Sequence, residues 1–121
     1  MKNEQAEQKT ITLGDTILFD NYMISKDGEI FSFISGRIMK LSKNKQGYLT
    51  VKLKISETES RTFNVHSLVF KTFKPELYDL VKRRYLVIDH IDDDKSNPRL
   101  DNLQAITHKD NIIKYHESKI K

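Results

Sequence analysis

The sequence predicts an α+β fold: a β-rich N-terminal module with a short helix, followed by a strand–strand–helix (ββα) unit. Three observations predict it. Residues 48–55 alternate apolar and polar at a period of two. Val65, Leu68, Val69 and Phe73 then fall at helical spacing. The last third reads as an apolar strand running into Asp89-His90, a polar turn, an extended return and a capped helix. At 121 residues the chain fits one domain, or a pair of small modules sharing a core.

The elements follow in order. Met1 to about Thr10 is a polar tail, and residues 11–19 fit either a short strand or an irregular lead-in. Residues 22–25 and 30–33 are β-prone runs flanking Lys26-Asp27-Gly28-Glu29, a hairpin pattern. Gly36 marks another turn. Within 48–55, Leu49, Val51, Leu53 and Ile55 share the inner face; Tyr48, Thr50, Lys52 and Lys54 share the outer. Residues 57–60 turn the chain, and 61–65 return with Phe63 and Val65 inward. The short helix over 66–73 ends before Pro75, because the residue ahead of proline is driven out of the helical region. Residues 76–84 fit a second helical turn or a loop.

Leu86-Val87-Ile88 is the strand that leads into Asp89-His90, and residues 92–98 are turn chemistry throughout. Residues 100–106 return as irregular extended chain. Thr107 caps a helix of about 108–117, with Asp110 at the third helical position completing a capping box. The chain thus divides into a tail and lead-in (1–20), a β-rich module with a short helix (21–75) and the ββα unit (76–121).

Composition narrows the chemistry. Cysteine is absent, which excludes disulfides, thiolate metal sites and cysteine nucleophiles. No apolar run approaches the roughly 20 residues of a membrane span, and the first residues lack a signal-peptide core. A soluble, intracellular protein is expected. The net charge of +4 is unevenly placed. Between Gly36 and Ile55 stand Arg37, Lys40, Lys43, Lys45, Lys52 and Lys54 with no acidic residue, whereas the stretch from Asp89 onward is slightly acidic. A polyanion-binding part joined to a carboxylate-bearing site fits that asymmetry.

The carboxylate of Asp89 and the amide oxygen of Asn111, early in the last helix, are hard donors suited to Mg²⁺ or Mn²⁺. His90 beside them is an imidazole able to deprotonate water near neutral pH. Alternation along the strand points Asp89 and His90 to different sides. Together these residues suit metal-assisted phosphodiester hydrolysis. The same Asp-His pair also fits a turn cap, Asp92, Asp93 and Asp94 also fit a solvated turn, and His66 fits either packing or a phosphate contact.

Val87-Ile88-Asp89-His90-Ile91-Asp92, with Asn97, Leu100-Asp101-Asn102-Leu103 and Thr107-His108-Lys109-Asp110-Asn111, resembles the HNH endonuclease motif, in the form found in homing endonucleases of phages and viruses. Upstream, residues 22–32, Gly47-Tyr48-Leu49-Thr50-Val51 and Phe63-Asn64-Val65-His66-Ser67-Leu68-Val69 are similar to the small module that commonly precedes it. The resemblance covers about 21–113. It implies a metal-dependent DNA endonuclease with a ββα-metal fold. In that pattern His90 is the general base, Asp89 and Asn111 hold one divalent metal, Asn102 braces the loop and helps orient His90, and Asn97 is structural. Asp93 departs from the pattern, standing where Gly is usual, and Pro98 stands where Asn is frequent.

Double-stranded DNA is the implied partner, with Arg37, Lys40, Lys43, Lys45, Lys52 and Lys54 as its phosphate-contacting residues. A second reading is a DNA-binding protein or regulator with a degenerate site. A third, a small structural or host-interaction protein, leaves the ordered motif unexplained.

Overall fold

In the computed structural model, which describes residues 8–13, 16–17 and 21–120, three short strands open the chain: β1 (Gln8–Thr10), β2 (Thr12–Leu13) and β3 (Thr16–Ile17). β1 pairs antiparallel with β4 (Tyr22–Ser25), so the end of the expected polar tail is a sheet edge. Its residues are polar because an edge strand faces solvent, and three residues are too few to show a period. Ile11, directly after it, is fully buried. β2 pairs with β3 across the lead-in. The rest of the lead-in, including Phe19, and the first seven residues lie outside the described residues.

The Asp-Gly hairpin forms as expected. β4 pairs with β5 (Ile30–Ser32), and β6 (Arg37–Ile38) extends the sheet beyond the Gly36 turn. Gly28 at the first turn has φ +88°, and a Cβ there would meet Pro98 Cγ at 2.8 Å and Val65 Cγ1 at 3.3 Å. Only glycine suits both the left-handed backbone and that close approach. The turn docks on the ββα unit through Leu100 N–H to the Lys26 carbonyl (2.8 Å) and Arg99 to Asp27 (3.0 Å). Pro98, the departure from the family pattern, is the side chain that fills this junction.

A second sheet joins β7 (Ser42–Lys43), β8 (Leu49–Lys54) and β9 (Ser60–Asn64). Val51 and Leu53 are buried and Lys52 and Lys54 exposed, as alternation requires. The expected outer face is not uniform: Thr50 is buried and Tyr48 half-buried. α1 (Val65–Phe73) packs Val65, Leu68, Val69 and Phe70 between both sheets. Pro75 opens α2 (Pro75–Lys82), where its missing N–H is harmless.

β10 (Val87–His90) pairs antiparallel with β11 (Leu103–Ile106), after a 3-10 turn at Leu100–Asn102. The return expected to be irregular is thus a short helical turn and a regular strand. α3 (His108–Ile120) follows, capped by Thr107 Oγ1 accepting from Asp110 N–H at 3.1 Å. Leu103, on β11, inserts into the same core as Ile24, Ile30, Val51 and Phe70, which ties the β10–β11 hairpin to the upstream core. No helix among the described residues is long and apolar enough to cross a membrane.

Candidate active site

The pairing of β10 with β11 sets Asp89 opposite Gln104 and His90 opposite Leu103. Alternation then sends the neighbours apart: Asp89 faces α3, whereas His90 faces β8 and α1. Both are buried, Asp89 at 9% and His90 at 5% exposure. Both nevertheless border one cavity of about 730 Å³, which Tyr48, Asn111 and Lys114 also line. The three residues expected to form the chemical centre, Asp89, His90 and Asn111, are therefore brought together.

Asp89 Oδ2 accepts hydrogen bonds from Gln104 Nε2 (2.8 Å) and Lys114 Nζ (2.9 Å). The Lys114 ammonium also reaches Asp93 Oδ1 (2.7 Å) and the carbonyl of His90 (2.9 Å). Burial works against its charge, but hydrogen bonds to Asp93 and Asp89 outweigh this and hold its pKa above the usual lysine value. Asp93 has φ +64° and donates its N–H to the His90 carbonyl at 2.9 Å. That left-handed backbone is why glycine is usual here; Asp is among the few other residues that adopt it readily.

His90 stacks in a triangle of rings. Its centroid lies 4.8 Å from His66 and 5.7 Å from Tyr48, and Tyr48 lies 4.9 Å from His66. Burial pushes the His90 pKa below the ordinary imidazole value, with Asp89, Asp92 and Asp94 pulling the other way. Burial, with a smaller contribution from His90, lowers His66 to about 4. Both rings are thus neutral at neutral pH. Each keeps a buried nitrogen without a hydrogen-bond partner, Nδ1 of His66 and Nε2 of His90. Unpartnered buried nitrogens are rare, and a catalytic role is one of the reasons a native structure keeps them.

Asn102 is buried behind the loop. Its Oδ1 accepts from Asp92 N–H (3.0 Å), and its Nδ2 donates to Asp92 Oδ1 (2.9 Å) and the Asn97 carbonyl (3.0 Å). Asn97 Nδ2 donates to Asp92 Oδ2 at 2.9 Å. The hydrogen bond from Asn97, then those from Asp94 N–H and Asn102, keeps the Asp92 carboxyl below its usual pKa. Asn102 and Asn97 therefore hold the loop, and Asn102 touches it rather than the His90 ring.

The donor chemistry fits a divalent metal. Among the described residues no group of three or more His, Asp and Glu side chains gathers as ligands. The cation seat is instead a set of hard oxygens centred on Asp89, and a cation, the Lys114 ammonium, lies in it.

Arg37, Lys40, Lys43, Lys45, Lys52 and Lys54 are all exposed, on or between β6, β7 and β8. Hydrogen bonds from Ser96 hold the Asp94 carboxyl below its usual pKa, with a small contribution from Lys43, and Lys95 lies over the Tyr48 ring at 5.3 Å. Three contributors escaped the sequence reading, Tyr48, Gln104 and Lys114; His66, open between packing and a phosphate contact, packs against Tyr48 and His90. Gln104 was reachable once the hairpin register was known, and Tyr48 was hidden by its place on a nominally outer face.

Residues 15–54 match the NUMOD4 motif and residues 64–112 the HNH endonuclease family model. The chain is 36% identical over 92 residues to DNA endonuclease I-HmuI of Bacillus phage SP01, covering 76% of this chain and 49% of that protein. It is 29% identical over 102 residues to an uncharacterised HNH endonuclease of Acanthamoeba polyphaga mimivirus, covering 84% of this chain and 29% of the relative. A solved structure of DNA binding and cleavage by the HNH homing endonuclease I-HmuI superposes with TM-score 0.74 at 30% identity, covering 93% of this chain and 59% of that one. The chain belongs to the HNH endonuclease family, with a NUMOD4 motif ahead of the HNH unit. It spans about half or less of the length of these two curated relatives.

Proposed function

We propose that the chain is a metal-dependent DNA endonuclease that hydrolyses phosphodiester bonds of double-stranded DNA, with His90 as general base. The observation that supports this most is the His90–Asp89 step on β10. A neutral imidazole with an unpartnered nitrogen sits beside a buried carboxylate that already holds a cation, and both border one cavity with Asn111. The DNA binding and cleavage of the I-HmuI structure support DNA as the substrate.

In this reading His90 takes a proton from the attacking water, which a neutral imidazole can do and an imidazolium cannot. Tyr48 and His66 confine the His90 ring, so little orientational freedom is lost when substrate arrives. Asp89 and Asn111 would hold Mg²⁺ or Mn²⁺, whose charge would stabilise the scissile phosphate and the leaving oxygen. Asn102 keeps the loop that follows His90 in place. Arg37, Lys40, Lys43, Lys45, Lys52 and Lys54 meet backbone phosphates and position the duplex.

Supercoiled plasmid incubated with the protein and Mg²⁺ or Mn²⁺ tests the reading. Nicked or linear product that disappears with chelator supports it. Retarded but intact plasmid would indicate a DNA-binding regulator with a degenerate site.

A further inference from the structure

Lys114 belongs to none of the roles above, yet it makes the densest set of polar contacts in the cavity. Its Nζ lies 2.9 Å from Asp89 Oδ2, 2.7 Å from Asp93 Oδ1, 2.9 Å from the His90 carbonyl and 3.4 Å from the Ile91 carbonyl. We propose that Lys114 is a resident competitor for the divalent metal: its ammonium and the metal exclude one another at Asp89, so the lysine sets the metal concentration at which the site loads. The inference rests on the reading of Asp89 as a metal ligand.

The contacts are those a hard cation makes. Oxygens from two carboxylates and two backbone carbonyls surround Nζ, the donor type that Mg²⁺ and Mn²⁺ also select. An ammonium within hydrogen-bond distance of Asp89 Oδ2 and a dication on the same carboxylate repel one another, and the repulsion is stronger in a partly desolvated site than in water. Asp89 is 9% exposed and needs a counter-charge in the absence of metal, a need Lys114 meets.

Lys114 is also able to leave. It stands on α3 three residues beyond Asn111, its side chain is 29% exposed, and its stem has four rotatable carbons. Asp93 works against departure. Its left-handed backbone, tied by N–H to the His90 carbonyl, aims its carboxylate at Nζ. Asp93 is 62% exposed, so this second contact lies near the cavity mouth and retains the ammonium at the rim.

Mn²⁺ binding to the DNA-free protein, read from the electron paramagnetic resonance signal of free Mn²⁺, is the test. Lys114→Met keeps the stem and removes the charge; it is expected to bind Mn²⁺ at least about tenfold more tightly than wild type, a coupling of ordinary size for linked sites. With chelator present it is expected to melt below wild type, and Mn²⁺ should raise its midpoint more. Lys114→Gln, which retains a hydrogen-bond donor without charge, serves if the methionine variant does not fold, with the same expectation. Unchanged or weaker Mn²⁺ affinity in a folded variant overturns the inference. Asp89→Asn separates the two readings. If it abolishes Mn²⁺ binding while Lys114→Met leaves affinity unchanged, the competitor role alone is lost. If Asp89→Asn binds Mn²⁺ like wild type, Asp89 is no ligand and both readings fall.

Discussion

The imidazole of His90 stands nearly edge-on to that of His66, with ring centroids 4.8 Å apart and an interplanar angle of 65°. α1 carries His66 and β10 carries His90, so this contact ties the β-rich module to the ββα unit at the chemical centre. Burial disfavours protonation of both rings, and for His66 the neighbouring His90 adds a smaller effect in the same direction.

The first prediction concerns acid stability. His66 is lowered from 6.5 to about 4 by burial. Between those values the unfolded chain binds the proton and the folded chain does not, so stability is full above pH 6.5 and falls as pH drops toward 4. His66→Phe keeps a ring against Tyr48 and His90 without the proton. Urea unfolding midpoints measured from pH 7 to pH 4.5 should fall for wild type and fall less for His66→Phe. Parallel curves would remove His66 as a source of the acid loss.

Asp89→Ala and Asn111→Ala should each weaken metal dependence, Asp89→Ala the more. A carboxylate contributes charge where an amide contributes only a dipole. Cleavage rate titrated against Mg²⁺ or Mn²⁺ should show a raised half-saturation for Asn111→Ala and little activity at any concentration for Asp89→Ala. Wild-type titration curves for both variants would discard the ligand pair.

Asn102→Ala removes one acceptor and two donor contacts that hold Asp92 and Asn97. The expected cost is roughly 1–3 kcal/mol, the penalty for stranding partly buried polar groups. Activity measured well below the melting midpoint should also fall, since the loop begins at His90. A variant as stable as wild type would show that water replaces the amide without loss.

Charge reversal of Lys52 and Lys54 to Glu should weaken binding to all DNA sequences about equally. Both side chains are exposed on β8, opposite Val51 and Leu53, so the fold should survive. The slope of log affinity against log salt should become shallower by roughly one unit per lost phosphate contact. Unchanged affinity and slope would mean this face meets only solvent, and altered sequence preference would mean that it reads a groove.

Local patterns made much of this legible. The Asp-Gly hairpin, the alternating strand β8, the helix stopped at Pro75 and the Thr107 cap each follow from neighbours in sequence. The proposed set of Asp89, His90 and Asn111 could be placed from sequence on a strand end and a helix start, and the three line one cavity. What escaped depends on contacts between distant segments. Gln8–Thr10 gains strand structure only by pairing with β4. Tyr48 looks solvent-facing until α1 and β10 cover it, and Lys114 looks like any helix lysine until the Asp93 turn brings a carboxylate over it.

The role of His90 is tested most directly by single-turnover cleavage of plasmid at saturating Mn²⁺, wild type against His90→Ala, with DNA affinity measured in parallel. A general base contributes about 10²–10⁴-fold. The cleavage rate should fall by that order while affinity stays within about twofold, because His90 is buried and the phosphate contacts are proposed for the exposed basic residues instead. Cleavage by His90→Ala at the wild-type rate would contradict the mechanism.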